Sequence, residues 1–260
     1  MSIQDLAKLS LVVAKRAIPY RIRRTHPRGR EPLPHFIDDI FKELYVRHCD
    51  DTMVPWQALH QAYLAAKYVA RSQIPGDLVE CGVWRGGCAI LMAETLAHYG
   101  DTSRNIYLFD TYEGMPEPGD DDVSRITGRP ALQKYLMRRS QGTYDWCAAG
   151  EDVVRANIAR CSYPKERFAL VKGLVEDTIP VSAPDQIALL RLDTDWYQST
   201  RHEMAHLFPR LSAGGVMLVD DYSAWSGSTK AVDEYFAENR ISIFLDIEAN
   251  TGRALAIKQA

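Results

Sequence analysis

From His35 to Ser72 the apolar positions recur at helical spacing. Phe36, Ile40, Phe41, Leu44 and Tyr45 share one face. After Asp50-Asp51-Thr52 a second helical set runs through Leu59, Tyr63, Ala66, Val69 and Ala70, and Pro75-Gly76 then punctuates the chain. Beyond that point strand-like and helix-like stretches alternate. Strands are predicted over 78–82, 105–110, 168–172, 187–192 and 215–219, and helices over 89–99, 153–161, 200–211 and 227–238. Ile241–Leu245 and Ala254–Ile257 complete the pattern as an antiparallel hairpin. This succession predicts an α/β domain with an open, doubly wound sheet. The polar stretch 112–150 is long for a loop in a compact domain, and such segments often serve as lids. Its Tyr135, Tyr144 and Trp146 suit either covering a ligand or a small core of the lid's own.

Residues 1–34 read differently. Leu6, Leu9, Val13 and Ala17 fall at helical spacing, and Arg21, Arg23, Arg24, Arg28 and Arg30 follow among prolines. We expect an N-terminal extension that packs on a partner subunit or lies on the surface. The sharper alternative is a basic amphipathic helix that touches an anionic membrane or an acidic carrier. The division is then 1–34 as extension and 35–260 as one domain, with a homodimer as the expected assembly.

Composition changes this picture only by exclusion. A chain that is 46% hydrophobic and 25% charged can bury a full core. A net charge of -3 argues against a nucleic-acid binder driven by overall charge. The cysteines are five in number and contain no CxxC pair, which suggests neither a disulfide framework nor zinc and fits a reducing cytoplasm. No apolar run is long enough to span a membrane, and Asp5, Lys8, Lys15 and Arg16 break the start as a signal peptide.

The chemistry lies at the strand ends. In open α/β sheets ligands bind beyond the carboxyl ends of the strands. Glu80, Asp110, Asp193, Asp220 and Asp221 all fall there. Glu80-Cys-Gly-Val-Trp-Arg-Gly-Gly is a strand entering a tight turn and a helix. It lacks the GxGxxG of a pyrophosphate site, which counts against a nicotinamide oxidoreductase, and Val83 and Trp84 suit a ligand without pyrophosphate. Asp110 ends the second strand, where a carboxylate offers two acceptors to a ribose; the plainer role is a cap on the next turn. Asp193 ends one strand and Asp220-Asp221 the next, so these carboxylates should lie about 5 Å apart in the pairing direction. Three oxygens so placed favour a hard cation such as magnesium, calcium or manganese. The plainer reading has Asp220-Asp221 cap a helix while Asp193 pairs with Arg191 or Arg201. Asp195 reads as an outer-shell group or a helix cap, and His202 and His206 as packing or surface residues.

Four segments together resemble the macrocin O-methyltransferase family over roughly residues 45–258. They are Glu80-Cys-Gly-Val-Trp-Arg-Gly-Gly, Phe109-Asp-Thr-Tyr-Glu-Gly-Met-Pro, Leu192-Asp-Thr-Asp-Trp-Tyr-Gln-Ser-Thr and Gly214-Gly-Val-Met-Leu-Val-Asp-Asp-Tyr. The resemblance implies a seven-stranded class I methyltransferase fold using S-adenosyl-L-methionine and Mg2+ to methylate a hydroxyl of a sugar on a secondary metabolite or glycan. It further implies that Thr52, Met53, Glu80, Gly82, Asp110 and Asp193 hold the cofactor, with Val175 and Glu176 by the adenine. Asp193, Asp220 and Asp221 would hold the metal. Catechol-type relatives carry a lysine three residues after the first metal aspartate, but here that residue is Trp196. Asp193 then becomes the expected base as well as a ligand, or the metal alone acidifies the hydroxyl. A phenolic acceptor is one alternative; a non-catalytic cofactor-binding module is another.

Overall fold

The computed structural model describes residues 33–140, 146–249 and 251–259. The expected N-terminal helix and its arginines, and Tyr144, lie outside them. Fifteen helices and strands follow in order: α1 (Asp39–His48), α2 (Trp56–Arg71), β1 (Asp77–Cys81), α3 (Gly87–His98), β2 (Ile106–Asp110), α4 (Ala131–Ser140), α5 (Glu151–Ala159), β3 (Phe168–Lys172), α6 (Val175–Thr178), β4 (Ile187–Leu192), α7 (Tyr197–Leu207), β5 (Leu211–Val219), α8 (Ser226–Glu238), β6 (Asp246–Ile247) and β7 (Ala254–Ile257).

The seven strands form one sheet in the order β3-β2-β1-β4-β5-β7-β6. The first five are parallel, and β7 runs antiparallel to β5 and β6. The chain winds outward from β1 to β3 and returns to β4 beside β1, so the order reverses between β1 and β4. Such a reversal opens a crevice at the strands' carboxyl ends.

Strand alternation divides the core. Leu78, Leu108, Leu189 and Val216 face α1, α2, α3 and α5, with Phe41, Leu59, Tyr63, Ile90 and Val154. Val79, Phe109, Leu190 and Met217 face the other side with Met204, Leu207, Val232 and Phe236 of α7 and α8. β4 is buried along its full length, as a central parallel strand must be. α3 is buried on nearly every side from Gly87 to Leu96, which explains its continuous apolar run.

One expectation changes. Ile241, Ile243 and Leu245 form no strand; they are partly buried against the core, and pairing with β7 begins only at Asp246. Alternating burial needs only one covered face, which an extended segment satisfies without a ladder. The stretch 112–150 carries α4, and of the two readings open for its aromatics the small core is present: Tyr135 and Trp146 pack with Ala131 and with Trp196 from beyond the stretch, and Trp146 meets Trp196 edge-on at 5.6 Å.

Candidate active site

A cleft of about 690 Å³, including its open mouth, lies at the reversal. Its lining includes Met53, Gly82, Asp110, Val175, Glu176, Asp193, Thr194 and Asp195. Gly82 has φ +82°, and a side chain there would meet the Asp193 carbonyl at 2.0 Å. Glycine is therefore what lets the end of β1 close against the end of β4. The Asp193 amide donates to the Cys81 carbonyl at 2.9 Å and completes that closure.

Asp110 orders the glycine-rich turn. Its Oδ2 accepts from the amides of Val83 (2.6 Å) and Trp84 (3.0 Å), and its Oδ1 accepts from the Tyr112 amide (2.7 Å). The plainer role as a turn cap is thus present, on a residue that also lines the cleft. Thr52 accepts from the Val54 amide and packs near Gly87, beside rather than in the cleft lining.

The acids behind the cleft are unequal. Arg191, 3% exposed, projects from β4 among them. Its Nη1 reaches Glu80 at 2.7 Å and Asp193 at 2.8 Å, and its Nη2 reaches Asp220 at 2.8 Å. Arg253 adds two further bonds to Asp220, one to each oxygen. Asp220 is therefore held by guanidinium groups, which keep its pKa low against the effect of burial. Glu80 is buried on Arg191 and does not line the cleft; burial pushes its pKa up to about 7 against that arginine. The expectation that all three acids from 193, 220 and 221 face one ion changes accordingly. Asp220 turns to the arginines, and Asp195 takes its place near the other two.

Ligand oxygens of Asp193, Asp195 and Asp221 lie within 4.8 Å of one another. Burial and mutual repulsion push the pKa of Asp193 and Asp221 well above the ordinary value. Asp195 is pushed up to about 7, mainly by burial. One Asp221 oxygen is buried with no hydrogen-bond partner. With Glu80 and Asp220 included, five carboxylates meet two guanidinium groups, an excess of three negative charges if all are ionised. An oxygen-only donor set, an orphaned carboxylate oxygen and surplus negative charge together fit a hard divalent cation.

Two contributors escaped sequence reasoning. Asp122, buried in the 112–150 segment, accepts from the Tyr197 amide at 2.8 Å and caps α7. Asp195 does not perform that cap. Glu203 of α7 is fully buried behind Thr194. A single acid in an amphipathic helix gives no sequence signal of burial. His202 hydrogen-bonds with the Ile179 carbonyl at 2.9 Å and meets the His206 ring at a tilt, 4.4 Å between centroids, both on packing duty.

Comparison with known proteins bears on this geometry. Residues 47–251 match the family described as macrocin-O-methyltransferase (TylF). The chain is 34% identical over 187 residues to demethyldecarbamoylnovobiocin O-methyltransferase of Streptomyces niveus, covering 72% of this chain and 68% of that protein. It is 36% identical over 191 residues to 8-demethyl-8-(2,3-dimethoxy-alpha-L-rhamnosyl)-tetracenomycin-C 4'-O-methyltransferase of Streptomyces olivaceus, covering 74% and 69%. Among solved structures the O-methyltransferase NovP is similar, with a TM-score of 0.69 and 31% identity over 81% of this chain and 83% of that one. The calicheamicin methyltransferase CalS11, at 19% identity and a TM-score of 0.56, shares the fold.

Proposed function

This chain belongs to the macrocin O-methyltransferase family and is an S-adenosylmethionine-dependent O-methyltransferase; from that premise we propose that it methylates a sugar hydroxyl with the help of a magnesium ion. The acceptor class is a sugar on a secondary metabolite or glycan. The Streptomyces olivaceus relative, named for 4'-O-methylation of a rhamnosyl-bearing tetracenomycin, supports that reading. We infer a cytoplasmic enzyme, in keeping with an odd number of cysteines and no CxxC pair. Among the described residues no helix is long and apolar enough to cross a membrane.

The observation that carries the metal reading is the convergence of Asp193, Asp195 and Asp221 with an unpartnered Asp221 oxygen. When bound, the cofactor supplies a sulfonium methyl group, and magnesium supplies Lewis acidity that lowers the pKa of an acceptor hydroxyl. Asp193 and Asp221 hold the ion in this reading. Arg191 fixes Asp193 from behind at 2.8 Å, so Asp193 is poorly placed to be the base. Asp195 lies beside Asp193 and Asp221 and, among the described residues, has no guanidinium partner, so it is the carboxylate we place to take the hydroxyl proton. Met53, Gly82, Asp110, Val175 and Glu176 line the remainder of the cleft and orient the cofactor. Residues 112–140 and 146–150, joined to Trp196 through Trp146 and through the Trp196 indole bond to the Pro116 carbonyl (3.1 Å), exclude water as a lid.

The test is turnover on a panel of rhamnosylated and phenolic acceptors, followed as S-adenosylhomocysteine release. Sugar methylation that stops on chelation and returns with added magnesium is expected. Full turnover in excess chelator would refute the metal role, and turnover on phenols alone would refute the acceptor class.

A further inference from the structure

Glu203 is an acid the reaction does not use, in a place where an acid is costly. It lies on α7 with 0% exposure. Its carboxyl accepts one forked bond from the Thr194 hydroxyl, whose oxygen lies 3.0 Å and 3.1 Å from the two carboxyl oxygens, and a bond from the Cys81 thiol. The charged groups that bear on it are Glu176 and Asp193, both acids, and among the described residues no cation pairs with it. Burial holds its proton well above the ordinary carboxylate range. An apolar side chain would fill this position between α7 and the sheet at lower cost, since a buried acid without a cation is destabilising when ionised or must stay neutral. Stability therefore gives no reason for Glu203.

Position gives one. Thr194 stands between Asp193 and Asp195 and itself lines the cleft. Asp195 holds a left-handed backbone, φ +66°, which is unfavourable for a non-glycine residue and persists only where its surroundings impose it. The turn is fixed at its two ends: the Asp193 amide is bound to the Cys81 carbonyl, and the Trp196 amide bonds to the Thr194 carbonyl at 2.8 Å. Its middle is tied to the helix behind at two points: the Ser199 hydroxyl donates a long bond to the Thr194 carbonyl at 3.4 Å, and the Thr194 hydroxyl donates to Glu203, the shorter and fully buried tether.

We propose that Glu203 is a positioning residue that grips the Thr194 hydroxyl and so holds Asp193 and Asp195 converged on the reacting atoms. It touches neither substrate nor cofactor. The inference rests on the role proposed above for Asp193 and Asp195.

Three variants of the full chain test it. In Glu203→Leu the grip is lost, and kcat should fall roughly ten- to a hundredfold, as expected when reacting groups shift by about an ångström. KM for S-adenosylmethionine and the melting temperature should stay near native values. Glu203→Gln keeps an acceptor oxygen for Thr194 and should restore kcat to within about threefold of native, a rescue that packing alone would not give. Thr194→Val removes the same bond from the other side, so that adding Glu203→Leu to it should cost little more. Thr194→Val also guards against a Glu203→Leu protein that fails to fold. Native kcat in both Glu203→Leu and Thr194→Val, or a Gln variant no better than the Leu variant, overturns the proposal. An Asp195→Asn control separates the two failures. If Asp195→Asn is inactive while Glu203→Leu is native, only the positioning role falls; if Asp195→Asn is fully active, the site assignment falls first.

Discussion

Glu94 and Asp221 are both buried acids, and the molecule treats them in opposite ways. Glu94 sits in the middle of α3, 3% exposed. Its Oε2 accepts from Arg47 at 2.8 Å and hydrogen-bonds with His48 at 3.0 Å, and its Oε1 accepts from the Ser162 amide at 2.8 Å. Burial works to raise its pKa, but His48, Ser162 and Arg47 outweigh it and hold the value at about 2. Asp221 has burial and the neighbouring Asp195 acting in the same direction, so its pKa is pushed well above the ordinary range, and one oxygen lacks any partner. A carboxylate kept for structure is supplied with donors by the fold. A carboxylate kept for chemistry waits for them from a ligand. That contrast, rather than the number of acids, separates the two sites.

The sharpest way to break the comparison is to neutralise each acid in turn. Asp221→Asn should lower methyl transfer at least about a hundredfold, read as S-adenosylhomocysteine release, because a group that holds the ion is lost. The melting temperature of the metal-free protein should hold or rise, since a repulsive, uncompensated acid has been removed. A melting temperature that instead drops would place Asp221 in the same class as Glu94.

Glu94→Gln should do the reverse. It strands Arg47 and His48 and should cost about 2–3 kcal/mol in urea unfolding, with activity per folded molecule unchanged. Unchanged stability would mean that the donors around Glu94 are incidental.

The sign of the pH dependence sharpens the contrast further. The folded pKa of Glu94 lies below its unfolded value near 4.5, so its contribution is present above about 4.5 and lost as the pH falls toward about 2. The stability gap between the native protein and Glu94→Gln should therefore close on acidification. The folded pKa of Asp221 is raised, so its ionisation destabilises the metal-free fold. The advantage of Asp221→Asn should accordingly widen as the pH rises above the ordinary carboxylate range. Unfolding curves from pH 3 to pH 8 measure both.

Asp38 gives the smallest effect. It accepts from Lys67 at 2.8 Å and from the Tyr63 hydroxyl at 2.8 Å, and Lys67 leads in lowering its pKa to about 2. Its side chain is 28% exposed, so solvent screens the pair. Asp38→Asn should cost about 1 kcal/mol or less and leave activity intact in the same assays.

Much of this was legible in the chain. Strand ends and a Gly-rich turn announce where a doubly wound sheet binds its ligand, and that is where the cleft lies. The four long segments point to the family that comparison shows. What stayed hidden depends on contacts far apart in sequence. Asp220 and Asp221 are adjacent and chemically alike, and Arg191 with Arg253, the latter brought over just before β7, turns Asp220 alone toward guanidinium groups. Asp195 joins Asp221 because its backbone turns left-handed, which an aspartate in a sequence does not reveal. Tyr135 and Trp146 allowed either a ligand cover or a small core, and it is the long-range contact with Trp196 that decides for the core.

The central claim is that the unsatisfied acids hold a divalent cation. Its most direct measure is titration of the full chain with Mn2+ in the presence of S-adenosylhomocysteine, following free manganese by electron paramagnetic resonance. One ion per chain should bind, be displaced by magnesium, and be lost in Asp221→Asn while S-adenosylhomocysteine affinity persists. Equal manganese binding by the native chain and Asp221→Asn, or none by a native chain that still transfers methyl groups, would contradict it.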